Sequence, residues 1–152
     1  MEHGLRAAQP EDQEFLFRLY ASTRPEVSGL GWSAQQLESF LRMQFNAQQR
    51  WYQTTYPGSE HSIIMVNDAL VGRMLVSSGN ASVTLVDISL LPEYRSHGIG
   101  GALIRALIQT AAAKGQAVTL QVLRTNPAQH LYQRLGFGVT GQDDMYLQMK
   151  TP

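Results

Sequence analysis

Short apolar stretches bounded by turn residues recur along the chain and predict seven strands. They lie at 4–8, 62–66, 70–77, 83–91, 117–123, 137–140 and 145–149. In the fifth stretch Val118, Leu120 and Val122 alternate with polar residues, as expected of a strand with one buried face. Asn67 and Asp68 form a tight turn between the second and third stretches, which predicts an antiparallel pair there.

Four other stretches carry apolar residues three or four positions apart, which is the period of an amphipathic helix. The first begins at Pro10, and the second begins at a capping box formed by Ser33 and Gln36. The third covers 99–114, and the fourth begins at Asn126. Gly141 is expected at the turn between the last two strands. The predicted order is β-α-α-β-β-β-α-β-α-β-β, and the 152 residues contain no linker or repeat, so one domain over 1–152 is expected.

Composition narrows the classes of function. Twelve Lys and Arg residues balance twelve Asp and Glu residues, so no net charge draws the protein to nucleic acid. The chain has no cysteine, which excludes disulfides and thiolate metal sites, and its four histidines lack the spacing of metal ligands. Because no apolar run has the length of a signal peptide core or a membrane span, we expect a cytoplasmic protein without a metal or a membrane partner.

The stretch from Leu90 to Leu103 carries the clearest chemical signal. An apolar strand stops at Pro92, a basic loop containing glycine follows, and an amphipathic helix begins directly after it. Such a loop turns several backbone N–H groups toward one point, where the helix dipole adds partial positive charge. The stretch therefore predicts a pyrophosphate site. It is not a P-loop, since the chain has no Gly-Lys pair, and Leu103 replaces the third glycine of a dinucleotide fingerprint.

Two motifs together resemble the GNAT superfamily of N-acetyltransferases. The first is Arg95-Ser96-His97-Gly98-Ile99-Gly100, which fits the family's coenzyme A loop, Arg/Gln-x-x-Gly-x-Gly/Ala. The second is Asn126-Pro127-Ala128-Gln129-His130-Leu131-Tyr132 with Gly136-Phe137, which looks like the family's Asn-x-x-Ala-x-x-x-Tyr-x-x-x-Gly-Phe signature. The resemblance implies the α+β GNAT fold, in which about four helices flank a central, mostly antiparallel mixed sheet.

The resemblance also implies acetyl-CoA as the cofactor and assigns its contacts. Backbone near Ile88 and Leu90 would bind the pantetheine arm, and Asn126 would contact the cofactor as well. Ser96 stands where the family often has glycine, and no loss of binding is expected from it. The pyrophosphate would lie against the segment made of Arg95, Ser96, His97, Gly98, Ile99, Gly100, Gly101 and Ala102.

Tyr132 and Asp87 are the candidate catalytic residues. The resemblance implies that Tyr132 is the general acid, since a tyrosine with an ordinary pKa near 10 keeps its proton at neutral pH. The other interpretation is a core tyrosine packed beside its neighbours. Asp87 interrupts an apolar strand, so it is either the base that deprotonates the amine or a salt-bridge or hydrogen-bond partner that holds a neighbouring loop, for which an arginine is one candidate. Some ribosomal-protein acetylases of the family have a glutamate base where this chain has Gln121.

Gln44, Gln48 and Tyr52 share one face of the second helix and are the candidate acceptor-binding residues. They either line an amine pocket or belong to a partly buried amphipathic helix. The leading hypothesis is an N-acetyltransferase that acts on a primary amine, in a small molecule, a peptide N-terminus or a lysine, as a monomer or a homodimer. A non-catalytic module that senses acyl-CoA is the alternative, and transfer of a longer acyl group also stays open.

Overall fold

The computed structural model describes residues 2–152 and has the element order that the sequence predicts. The elements are β1 (His3–Ala7), α1 (Gln13–Ser22), α2 (Ala34–Thr55), β2 (Glu60–Val66), β3 (Ala69–Ser78), β4 (Ser82–Leu90), α3 (Ile99–Ala113), β5 (Ala117–Leu123), α4 (Ala128–Arg134), β6 (Gly138–Gln142) and β7 (Tyr146–Lys150). The strands form one sheet in the order β1-β2-β3-β4-β5-β7-β6. Within residues 2–152 only β4 and β5 pair in parallel, so the predicted mixed, mostly antiparallel sheet is confirmed.

A separate apolar core covers each face of the sheet. Neighbouring residues of β2 show the division, because Ile63 packs with α1 and α2 whereas Ile64 packs with α3. Both are fully buried, since successive side chains of a strand point to opposite faces. The two faces therefore present different helices to the centre of the sheet. No helix within 2–152 is long and apolar enough to cross a membrane.

The loops differ from the prediction in two places. The segment Pro25–Leu30, for which the sequence patterns predict no strand or helix, forms a 3-10 helix that buries Val27. Gly141 lies inside β6, at an irregularity of its pairing with β7, and not at the turn. The turn comes later, where the Asp143 carboxylate accepts hydrogen bonds from the backbone N–H groups of Met145 and Tyr146 at 2.8 and 2.7 Å. An Asx turn replaces the expected glycine turn.

Strand β4 separates from β5 halfway along its length. The parallel ladder ends at the pair Leu85–Leu120, after which β4 continues beside β3 and β5 continues beside β7. The separation begins at a β-bulge: Asp87 pairs with Leu75 and Leu85 pairs with Val76, which leaves Val86 as the extra residue. Bulges commonly end a pairing and redirect a strand in this way. The result is a gap between the two strands in the middle of the sheet.

Candidate functional site

The N-terminus of α3 lies next to the gap and presents free backbone donors. Its first intrahelical bond is donated by the Ala102 N–H to the Gly98 carbonyl, and Gly98 is the N-cap without a side-chain cap. The N–H groups of Ile99, Gly100 and Gly101 therefore have no acceptor inside the helix. These donors and the helix dipole suit an anion such as a pyrophosphate.

The loop before α3 has the open backbone space that a phosphate needs. A Cβ atom added at Gly98 would meet nothing within 4 Å, and one added at Gly100 would meet only the Leu90 side chain at 4.0 Å. Gly98 has a φ of 83° and Ser96 a φ of 64°, a left-handed conformation that serine adopts only at a cost. The side chain of Ile99 is buried in the core, so only its backbone is available to a ligand.

Ile88 and Leu90 turn their backbone groups toward the gap. The Leu91 N–H donates to the Val71 carbonyl at 2.8 Å, which marks this pair as a hydrogen-bonded one. Because hydrogen-bonded and non-hydrogen-bonded pairs alternate in an antiparallel ladder, Leu90 and Ile88 direct their N–H and C=O groups away from β3. An extended chain with amide groups can therefore add to β4 where β5 has left it.

Arg95 bridges the loop and the strand. Its Nε donates to the Leu90 carbonyl at 2.9 Å, and its Nη2 lies 3.5 Å from the Ser22 hydroxyl of α1. The guanidinium is thereby held beside the end of β4, where it adds fixed positive charge to the donors of α3. His97 is exposed in the same loop, and Ala102 is half-buried in the first turn of α3.

Tyr132 lies on α4, which packs beside the first turn of α3: a Cβ atom added at Gly101 would lie 3.7 Å from the Leu131 side chain. Its ring packs against Phe137 at a centroid distance of 5.8 Å and against the core beneath α3. Burial, with a smaller contribution from the charge of Asp87, raises the pKa of its hydroxyl above the ordinary value of 10.0. Among residues 2–152 the hydroxyl has no hydrogen-bond partner. Tyr132 is thus packed in the core, as one interpretation expected, and its hydroxyl is protonated at neutral pH.

Asn126 does not lie in the helix of Tyr132. It precedes α4, where its Oδ1 accepts a hydrogen bond from the Ala128 N–H at 2.9 Å. Only one residue separates it from Ala128, whereas the family signature has two, so the asparagine is one position out of register. Its side chain caps the start of α4. A cofactor contact by Asn126 stays a prediction and has to be compatible with this cap.

The other face of the sheet carries a polar cluster centred on Arg73 of β3. The Arg73 side chain is only 4% exposed. Its Nε donates to Asp87 Oδ2 at 2.9 Å, and its Nη2 lies 2.8 Å from the same oxygen. Two α2 side chains accept its remaining hydrogen bonds: Gln49 from Nη1 at 3.0 Å and Gln48 from Nη2 at 2.8 Å. We call Arg73, Asp87, Gln48, Gln49 and Tyr52 the Arg73 cluster.

Asp87 keeps one oxygen available within this cluster. Both contacts from Arg73 reach Oδ2, whereas Oδ1 has no hydrogen-bond partner in the described part of the chain. The carboxylate is 23% exposed and lies one residue after the bulge that opens the gap. A salt bridge with an arginine is present, as one interpretation expected, but Arg73 lies on the adjacent strand β3 and not in a neighbouring loop. It leaves an oxygen that can accept a hydrogen bond from an amine.

The predicted acceptor residues of α2 have different surroundings. Gln48 is engaged by Arg73, while the Oε1 atom of Gln44 is buried without a partner in residues 2–152. The Arg73 guanidinium lies over the Tyr52 ring at 5.4 Å from its centroid. Burial raises the pKa of Tyr52, and the charge of Asp87 adds to this effect. Of the three, Tyr52 also lines a cavity beside the cluster.

Sequence reasoning missed Arg73, Gln49 and His61. A signal for Arg73 was present, because it interrupts an apolar strand in the same way as Asp87. Nothing local singled out Gln49 or His61. They come next to Arg73 only through the placement of α2 and the register of β2 with β3.

The sequence profile of the acetyltransferase (GNAT) family matches residues 16–137. The chain belongs to the GNAT acetyltransferase family. The resemblance read from the coenzyme A loop is thereby confirmed at the level of the family, since the match includes the loop before α3 and the helix of Tyr132.

Two curated proteins are similar over about half of this chain. A streptothricin acetyltransferase of Streptomyces lavendulae is 36% identical over 74 residues, which are 47% of this chain and 39% of that protein. The ribosomal protein bS18-alanine N-acetyltransferase of Haemophilus influenzae is 32% identical over 75 residues, which are 49% and 51% of the two chains. The matches thus span about half the length of these relatives or less.

A solved structure supports the fold over the full length. The PaiA N-acetyltransferase of Thermoplasma acidophilum, solved in complex with coenzyme A, has a TM-score of 0.74 against this chain. The two are 22% identical, and 99% of each chain is covered. At this identity the likeness concerns the fold, which agrees with the GNAT architecture predicted from the sequence.

Proposed function

We propose that this protein is an N-acetyltransferase that moves an acetyl group from acetyl-CoA to a primary amine by direct attack on the thioester. The observation that carries the proposal is the gap between β4 and β5, bordered by the free N–H groups of α3, by Tyr132 and by Asp87. When bound, acetyl-CoA supplies an acetyl thioester whose carbonyl carbon a neutral amine can attack. Similarity to acetylating enzymes of a streptothricin and of a ribosomal protein supports an amine acceptor.

The chain's own groups would hold the cofactor at three places. The N–H groups from Ser96 to Gly101 and the Arg95 guanidinium would bind the pyrophosphate, because the open glycine positions let phosphate oxygens approach the backbone. The backbone of Ile88 and Leu90 would bind the amides of the pantetheine arm. This fit rests on the geometry of the gap, which leaves those groups of β4 without a strand partner.

Asp87 would bind the acceptor amine. Its Oδ1 is available, and it belongs to the face of β4 that α2 covers, opposite the face that α3 covers. A carboxylate oxygen there accepts a hydrogen bond from the amine and takes the proton that the nitrogen loses on attack. In this role the ion pair with Arg73 fixes the orientation of the carboxylate.

Tyr132 would supply the proton that a departing thiolate needs. Its raised pKa keeps the hydroxyl protonated at neutral pH, and its ring packs with the core under α3, on the sheet face opposite α2. Acid and base would therefore act from opposite sides, with Asp87 on the acceptor side.

The test is release of free thiol from acetyl-CoA in the presence of pooled amines: polyamines, aminoglycosides, amino acids and short peptides. We expect release well above the background without amine, and mass spectrometry should find an acetylated product. Binding of acetyl-CoA, measured by calorimetry, without release in any pool would contradict the proposal. That outcome would favour the non-catalytic acyl-CoA module.

A further inference from the structure

A cavity of about 370 Å³ lies beside the Arg73 cluster, between the C-terminal turn of α2 and strands β2 and β3. Small-molecule sites commonly have about 300–1,000 Å³, so this cavity suits a small ligand. Tyr52, Tyr56, His61 and Arg73 are part of its wall, and none of the residues that line it is an aspartate or glutamate. Among the described residues of its wall there is one cation, Arg73, and no anion, which favours an anionic group inside it.

Two hydrogen-bonding groups of this wall lack partners. Arginine has five N–H donors, and only one of the two on Arg73 Nη1 is used, by Gln49. The buried Nε2 of His61 also has no hydrogen-bond partner in residues 2–152. Burial and the neighbouring Arg73 lower the pKa of His61, so it is neutral at neutral pH and can place an N–H on Nε2. Buried polar groups without partners in a cavity wall call for a ligand that accepts hydrogen bonds.

The cavity and Asp87 are connected through one side chain. Arg73 contacts Asp87 with its Nε and Nη2 atoms and also borders the cavity, and one N–H of its Nη1 has no acceptor within residues 2–152. The strand register aligns His61, Leu75 and Asp87 across β2, β3 and β4. His61, at the cavity, and Asp87, at the proposed amine site, are therefore two strand spacings apart, which is about 10 Å. An acceptor that reaches both would carry opposite charges at its two ends.

We propose that this cavity binds a carboxylate of the acceptor, so that the preferred substrate is an amine whose carboxylate lies several bonds away. The inference rests on the proposed function and specifies its acceptor class. Arg73 Nη1 and His61 Nε2 would donate to the carboxylate, while Asp87 Oδ1 would receive the amine. The side-chain amine of free lysine and the N-terminal amine of a short peptide both lie several bonds from a carboxylate. The α-amine of an amino acid lies too close to its own carboxylate to reach both sites.

Matched ligand pairs test the inference by binding alone. The probes are lysine against cadaverine, which lacks only the carboxylate, and alanylalanine against its C-terminal amide, each titrated calorimetrically into the coenzyme A-bound protein. We expect the ligand with the carboxylate to bind about tenfold tighter or more in at least one pair. The pair that shows this difference tells whether the acceptor amine is a lysine side chain or a peptide N-terminus. Equal affinity within both pairs, or no binding of any probe, would overturn the inference.

Variants assign the preference to the cavity. His61→Leu should remove most of the preference for the carboxylate, and His61→Phe, which keeps an aromatic ring and has no N–H donor, serves as a second cavity variant should His61→Leu fold poorly. His130→Leu, which changes an exposed histidine on α4, is the matched control and should keep the wild-type ratio of affinities. A preference that survives both cavity variants would contradict the assignment. Thiol release with cadaverine in the wild type tests the proposed function separately, because it does not involve the carboxylate.

Discussion

Arg73 and Asp87 form an ion pair across adjacent strands in which two guanidinium nitrogens, at 2.9 and 2.8 Å, contact the same carboxylate oxygen. The one-sided contact leaves Oδ1 available at the point where β4 leaves β5. Asp87 also influences the pKa of two tyrosines, Tyr52 on α2 and Tyr132 on α4. The ion pair thus lies between the proposed acceptor side and the proposed cofactor side.

Replacing Tyr132 with phenylalanine should slow turnover and leave cofactor affinity unchanged. The variant keeps the ring that packs against Phe137 and loses only the hydroxyl proton. Because general acid catalysis contributes a factor of about 10² to 10⁴, we expect kcat to fall by that factor in steady-state thiol release. Tyr146→Phe on β7 is the control and should retain wild-type kcat.

The pH dependence of kcat gives an independent check on the role of Tyr132 as the general acid. A general acid works in its protonated form, and the pKa of Tyr132 is raised from 10.0, so kcat should not decline through loss of this proton below about pH 10. Unchanged kcat in Tyr132→Phe would remove the residue from the mechanism whatever the profile shows.

Asp87→Asn should lower kcat/KM for the amine by about 10² to 10⁴ at neutral pH, since the variant loses the proton acceptor. Asparagine can still accept a hydrogen bond from Arg73 through its amide oxygen. If Asp87 acts as the base, activity should recover toward pH 10, where a growing share of the amine is already neutral.

Asp68→Asn, in the turn between β2 and β3, is the matched control for Asp87→Asn and should behave as the wild type. A loss of activity in Asp87→Asn that stays constant up to pH 10 would instead assign Asp87 a structural role. Thermal unfolding of both variants shows whether the buried Arg73 tolerates the loss of its partner.

The local motifs were readable from the sequence, whereas the acceptor side was not. The loop before α3 and Tyr132 are encoded by contiguous residues, so the motifs predicted them. The Arg73 cluster depends on the register of β3 with β4 and on how α2 crosses the sheet, and no contiguous segment contains that information. Gly141 was misplaced because a glycine signals a bulge as well as a turn, and only Asp143 provides the turn's hydrogen bonds.

Gly98→Ala should weaken coenzyme A binding about tenfold and lower Tm by about 2–8 °C. The residue has a φ of 83°, where an alanine costs roughly 1–2 kcal/mol, and its methyl group would enter space reserved for the phosphate. Gly138→Ala on β6, where an added Cβ also meets nothing within 4 Å, is the control and should bind normally.

Ser96→Gly is the complementary change in the same loop. Glycine adopts the observed φ of 64° without strain, so coenzyme A affinity should equal or exceed that of the wild type. Isothermal calorimetry measures all three variants. Weaker binding in Ser96→Gly would show that the serine hydroxyl, and not the backbone, contributes the contact.

Asp12→Asn should destabilise the fold near neutral pH, with Tm lower by about 2–6 °C. The Asp12 carboxylate bonds both Arg6 and the Gln9 N–H, and these bonds lower its pKa from 3.8 to about 2. A lowered folded-state pKa means that the stabilisation is present above about pH 4 and is lost as the pH falls toward 2. The difference in Tm between wild type and variant should therefore shrink over that range.

Glu14→Gln is the control for Asp12→Asn. Its ion pair with Arg42 is exposed, so the change should shift Tm little. A difference between wild type and Asp12→Asn that persists unchanged at pH 2 would mean that charge on Asp12 is not the stabilising factor.

A crystal structure with coenzyme A bound tests most directly whether the gap between β4 and β5 is the cofactor site. The expected result has pyrophosphate oxygens about 3 Å from backbone N–H groups between Ser96 and Gly101 and pantetheine amides bonded to the backbone of Ile88 and Leu90. Tyr132 and Asp87 should then lie on opposite sides of the sulfur. Coenzyme A bound away from the gap, with β4 and β5 unoccupied between them, would contradict it.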